Sequence, residues 1–118
     1  MSWSNSHISV AGEPFFILGA QVHNSSAYTK ARIDPLWSVF LKLHVNTAEI
    51  PVYWEQVEPR EGVFDFAMVD TLLEGARAYQ LRLVLLWFAT WKNGSMKYAP
   101  PWVKLQPDQF HRVITAEG

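Results

Sequence analysis

A chain of 118 residues, 49% hydrophobic and 18% charged, is one globular domain at most, with enough apolar material for a core. Its net charge of −1 gives no electrostatic reason to bind nucleic acid or an anionic membrane surface. With no cysteine it has neither a disulfide framework nor a thiolate metal site, and the redox compartment stays open.

Met1 to His7 has no basic segment followed by an apolar one, so no secretory leader is visible. Ile8-Ser-Val-Ala-Gly-Glu-Pro-Phe-Phe-Ile reads as a short β-hairpin with Gly12 at its turn. Its second arm is expected to run on as a first core strand from Phe15 to Val22. Gln21 to Lys30 is polar and turn-rich, a loop. Asp34-Pro35 predicts a helix start, Asp as N-cap and Pro at the first helical position, with Leu36, Val39, Phe40 and Leu43 at helical spacing.

A second strand is expected over Asn46 to Val52 and a loop over Tyr53 to Gly62. Asp65 can cap a second helix whose inner stripe would be Phe66, Val69, Leu72, Leu73 and Ala76. Leu81 to Phe88 is almost continuously apolar, as in a parallel strand covered on both faces, and its apolar run is too short to span a bilayer. Ala89 to Pro101 is a loop, and Pro100-Pro101-Trp102 delays regular structure until a short helical turn. Another short helix is expected near Asp108. Strands recurring every 30 to 35 residues or so, with helices between, make βα units and a parallel sheet. Periodicity alone leaves an open doubly wound sheet and part of a closed barrel as alternatives.

Gly19-Ala-Gln-Val-His-Asn-Ser-Ser lacks the glycine pattern of a dinucleotide fold. No P-loop, zinc-type His pair or nucleophile elbow occurs, so no metal or organic cofactor is implied. His7, His44 and His111 read as surface or packing residues. Loops at the carboxyl ends of parallel strands form the binding face of such sheets. The first offers Gln21, His23, Asn24, Ser25 and Ser26. The second offers Glu49, Tyr53, Trp54, Glu55 and Glu58. The third offers Trp87, Trp91, Lys92 and Asn93. Amide, carboxylate and ammonium groups beside indole faces suit a pyranose, whose rim carries hydroxyls and whose face carries C–H groups. Duller readings exist: Glu55 as a surface charge, Glu58-Pro59 with Gly62 as a turn, Trp87 as core. Glu49 is harder to dismiss, because a carboxylate ending an apolar strand needs a partner or a wet cavity.

Trp54-x-x-x-Glu58-Pro59-x-x-Gly62-x-Phe64-Asp65-Phe66, then Asp70, resembles the segment after the second strand of retaining β-galactosidases of glycoside hydrolase families 35 and 42. Leu83 to Phe88 with Pro101-Trp102 is similar to their third strand and its loop. A bacterial branch of family 35 is the nearest likeness, through Gln21-Val-His-Asn-Ser-Ser, Pro51-Val-Tyr-Trp-Glu and Leu85-Leu-Trp-Phe-x-x-Trp-Lys-Asn. Two positions depart from many other family 35 enzymes: Pro51 where a Tyr is usual, and Trp91-Lys92-Asn93 where an Asn-Ala-Glu-type clamp is usual.

The resemblance implies an α/β fold, the N-terminal portion of a (β/α)8 TIM barrel, with about three parallel strands, intervening helices and a short leading β-hairpin. Residues 1–118 would be a partial catalytic barrel truncated at its C-terminus. The implied acid/base and nucleophile glutamates, after the fourth and seventh strands, lie beyond Gly118. The chain would then contribute a glycone-binding wall and no catalytic residue, binding a β-galactoside or galactose-containing oligosaccharide through Gln21, His23, Asn24, Glu49, Tyr53, Trp54, Trp91, Lys92 and Asn93. A non-catalytic carbohydrate-binding or inert remnant protein is the alternative, and a small complete α/β domain with a function unrelated to sugars is a third reading. Relatives are often periplasmic or secreted. Three strands of a barrel leave two open sheet edges, so self-association is a further expectation.

Overall fold

The computed structural model describes residues 8–92, 97–114 and 116. The opening hairpin pairs β1 (Ile8–Val10) with β2 (Glu13–Phe15) antiparallel. Ala11 and Gly12 form its turn, both at positive φ, and Gly12 supplies that geometry without a side-chain penalty.

The expected continuous strand from Phe15 to Val22 is interrupted. Residues 16–18 are irregular and β3 is only Gly19–Gln21. The reason lies in Asn46. Its Oδ1 accepts from the Leu18 N–H at 2.9 Å, its Nδ2 donates to the Phe16 carbonyl at 2.8 Å, and its own N–H donates to the Leu18 carbonyl. One side chain thus takes over backbone partners that a strand ladder would otherwise provide.

Helix α1 (Lys30–Lys42) begins a full turn before the predicted Asp34-Pro35 start and carries Pro35 inside it. Two gains offset the missing backbone donor. The extra turn buries Ile33 completely, and Lys30 reaches Asp34 in an i,i+4 ion pair at 2.6 Å. The helix ends in a Schellman arrangement, with His44 at φ 53°. There Val45 N–H donates to Phe40 O and His44 N–H to Leu41 O.

Strand β4 (Thr47–Tyr53) follows, then the single turn α2 (Trp54–Val57) inside the expected loop. Helix α3 is Ala67–Ala78, and Asp65 Oδ1 accepts from the Ala67 N–H at its start, as a capping group. Its inner stripe differs at one end from the expectation. Leu72 and Ala76 are buried and Val69 packs on the core, but Phe66 precedes the helix, is 54% exposed and stacks on Phe64. Strand β5 (Arg82–Phe88) and the turn α4 (Pro101–Lys104) complete the elements. Residues 107–109 form turns rather than the expected helix near Asp108.

The sheet order is β3-β4-β5, parallel throughout, with β4 central. Alternation sends Ala48, Ile50 and Val52 to one face, where they join Ile33, Trp37, Phe40, Leu72 and Ala76 in the core. Helices α1 and α3 meet there. The Trp37 indole lies so close to Gly75 that a Cβ at that position would fall 2.5 Å from the indole Cε2, and Trp37 stacks on Tyr79 at 6.1 Å. Strand β5 was expected to be covered on both faces. Val84, Leu85 and Trp87 are exposed instead, Trp87 by 56%, because β5 lies at the sheet edge.

Candidate functional site

The second face of the sheet carries Gly19 and Gln21 from β3, Thr47, Glu49, Pro51 and Tyr53 from β4, and Val84, Leu86 and Phe88 from β5, in register. At its carboxyl end Tyr53, only 1% exposed, stands as a central post. Its ring meets Tyr28 at 5.1 Å, Tyr98 at 4.9 Å and Phe88 edge-on at 6.0 Å. Its hydroxyl donates to the Asn24 carbonyl at 2.7 Å. Burial pushes the Tyr53 phenol far above its usual range. Lys92 holds its ammonium 4.9 Å from the centre of the Phe88 ring, a cation–π contact at the rim of this cluster. Trp91 beside it is 66% exposed.

The Asn24 carbonyl, Tyr53 and Lys92 are therefore linked through one aromatic cluster, and Trp91 precedes Lys92 in sequence. His23 is exposed on the same loop as Asn24. Asn93 lies outside the described residues. Trp54 belongs to a second group: its indole N–H donates to Glu58 Oε2 at 2.7 Å, and its ring meets Trp102 edge-on at 5.7 Å. Trp102 in turn packs on Phe110.

Glu49 is placed differently from the sequence reading, which set it at the end of its strand. It is the third of seven residues in β4, and a strand rise of about 3.3 Å per residue puts it roughly 13 Å below Tyr53. Gln21 pairs with it in register. The Glu49 carboxylate lies beside Gly19, where a Cβ would sit at an ordinary contact distance of 3.5 Å from Glu49 Oε1. Glu49 and Gln21 thus form a lower polar layer, beneath the loops.

Sequence reasoning passed over Tyr28, Tyr98 and Lys104, used Trp102 only in the family likeness, and left Glu55 between a loop candidate and a surface charge. Glu55 Oε1 accepts from the Tyr28 hydroxyl at 3.0 Å and Oε2 from Lys104 Nζ at 2.9 Å. Desolvation, then the Glu55 carboxylate, raises the Tyr28 phenol pKa. A signal was present in part: tyrosines flanking each loop. What pairs with them is set by the fold. Glu58 is also fully used. Oε2 takes the Trp54 indole and Oε1 the Gly62 N–H at 2.9 Å, and these bonds hold its carboxyl below the usual range. Among the described residues no cluster of His, Asp or Glu fits a metal ion.

Residues 24–109 match the pattern of glycoside hydrolase family 42, described as β-galactosidase. The chain belongs to that family. Among solved structures it is similar to the exo-β-1,4-mannosidase from Opitutaceae bacterium strain TAV5, at a TM-score of 0.69 and 27% identity. The likeness covers 85% of this chain and 20% of that one, so the chain spans about one fifth of that enzyme. No curated protein matches. The fold is accordingly the N-terminal part of a glycoside hydrolase TIM barrel, and the second face of the sheet, which carries Tyr53, is the interior side of that barrel. The family found is 42.

Proposed function

We propose that this glycoside hydrolase segment forms part of the glycone-binding wall of an enzyme that removes terminal β-galactosides by a retaining two-carboxylate mechanism, and that it holds neither catalytic carboxylate. Residues 1–118 would then be the first three βα units of that catalytic barrel. The observation that carries the reading is the convergence of the three strand-end loops on one aromatic cluster, with Asn24 tied to Tyr53, Tyr53 packed on Phe88 and Lys92 over Phe88.

In this reading His23, Asn24, Lys92 and Asn93 meet sugar hydroxyls, and exposed Trp91 offers a face to the C–H side of the ring. Trp54 presents its ring from the second loop. Tyr53 acts from behind by fixing Asn24, since its own surface is buried. Gln21 and Glu49 line the barrel below. Retaining hydrolysis needs two carboxyls about 5 to 5.5 Å apart across the bond. Glu55 and Glu58 have both oxygens committed to protein donors, and Glu49 lies a layer lower, which supports the absence of a catalytic pair. The resemblance to a bacterial branch of family 35 is a finer reading, resting on Gln21 to Ser26 and Trp91-Lys92-Asn93, and leaves the reaction class unchanged.

A second reading comes from the mannosidase likeness, which makes a β-mannoside the competing substrate. Tryptophan fluorescence titrated with galactose and with mannose, beside a chromogenic β-galactoside assay, tests both. The expected result is saturable quenching by galactose and no turnover. A mannose response stronger than that to galactose would move the substrate, and turnover by this chain would overturn the catalytic assignment.

A further inference from the structure

Tyr28 belongs to the loop after β3, Glu55 to the segment after β4 and Lys104 to the segment after β5. These residues are 27 and 49 positions apart from Glu55 in sequence, yet its two oxygens serve one each. The Glu55 backbone adds a third tie, since its N–H donates to the Tyr98 carbonyl at 2.9 Å. Neighbouring Gln56 donates its Nε2 to the Tyr28 carbonyl at 2.7 Å. The carboxylate is largely sheltered, at 19% side-chain exposure against 34% for Lys104. An isolated surface ion pair contributes little. A sheltered carboxylate that accepts from two separate loops orders both, and losing it leaves two donors without their acceptor.

We propose that Glu55 is the positioning residue of this face, holding the three strand-end loops in one arrangement. Tyr28 and Lys104 are its two spokes. The loops were read as separate contributors to a site, whereas this hub makes them one unit, so a displacement of one is transmitted to the other two. The inference concerns the loops themselves and stands whether or not the occupant is galactose.

Amide hydrogen exchange on the full chain tests it, read at Tyr28 for the first loop and at Lys104 and Leu105 for the third. Glu55→Gln is expected to speed exchange at both places by roughly tenfold, the effect of losing a charged acceptor. Tyr28→Phe is expected to speed it only in the first loop and Lys104→Met only in the third. Lys104→Arg, which keeps the charge, is expected to behave as the parent. An independent signature is the alkaline absorbance titration of the tyrosines. Glu55→Gln should lower one midpoint, and Tyr28→Phe should delete that step. Acceleration by Glu55→Gln in neither loop or in only one, or unchanged tyrosine midpoints, overturns the proposal. Where Glu55→Gln does not fold, the two spoke variants decide: unchanged exchange in both overturns it, and loop-confined acceleration supports it. Absence of galactose binding by the parent chain would remove the sugar reading and leave these outcomes intact.

Discussion

The Trp102 indole N–H donates to the Glu58 carbonyl at 3.0 Å, across 44 residues of sequence. The Glu58 carboxylate meanwhile binds the Trp54 indole and the Gly62 N–H. Residues that read as a simple turn motif therefore staple the loop after β4 to the loop after β5. Gly62, at φ 71°, lets the backbone swing its N–H toward the carboxylate.

The carboxylate part of this staple, its bonds to Trp54 and Gly62, depends on the charge of Glu58. The Trp54 and Gly62 bonds lower its pKa from 4.5. A depressed carboxyl contributes stability that is present above its unfolded pKa and is lost as pH falls through the folded value. The melting temperature of the parent should thus drop more steeply than that of Glu58→Gln from about pH 6 down to about pH 3. Parallel curves for the two would show that the charge contributes nothing.

Tyr53 works in the opposite direction. Its pKa is raised, mainly by burial, so its contribution is complete below the unfolded value of 10.0 and is lost as pH rises toward the folded one. Tyr53→Phe keeps the ring contacts and deletes the bond to the Asn24 carbonyl. We expect a loss of about 1 kcal/mol at neutral pH and a shallower alkaline decline, both measurable by urea unfolding.

Helix α3 ends as α1 does, with a non-glycine residue in the left-handed region. Gln80 has φ 56°, and Leu81 N–H donates to Ala76 O while Gln80 N–H donates to Arg77 O. Glycine is the residue that this position favours. Gln80→Gly should raise stability by about 1 kcal/mol in thermal or urea unfolding. A destabilised variant would contradict that account of the cap.

Val52, Val57, Phe66, Val69, Leu85 and Trp87 line an open apolar groove of about 200 Å³. Exposed apolar surface of this kind drives association. Sedimentation velocity should show concentration-dependent self-association of the chain. Trp87→Lys should reduce it without lowering the melting temperature, because the indole is more than half exposed. A strictly monomeric parent would refute this.

The order of elements, the parallel sheet and the hairpin were legible because apolar runs, turn glycines and βα spacing are local signals. The early start of α1 was not, because Asp34-Pro35 is a sound local start signal that burial of Ile33 overrides. The break at residues 16–18 was not, because its cause, the Asn46 side chain, lies 28 to 30 residues away. Of the residues named from sequence, Asn24 reaches the shared cluster through its backbone carbonyl and Lys92 through its ammonium. Glu49 was read as ending its strand, although the strand expected over Asn46 to Val52 already ran three residues past it. The Tyr28–Glu55–Lys104 link joins three loops, so the pairing cannot be read from any one of them.

The most direct measurement is a nuclear magnetic resonance titration of the indole N–H signals with galactose. A glycone-binding wall predicts a saturable shift of the Trp91 signal, with core Trp37 unmoved. Silence at Trp91 up to about 100 mM sugar, a weak limit on any affinity scale, or a response centred on Trp37 or Trp87, would contradict it.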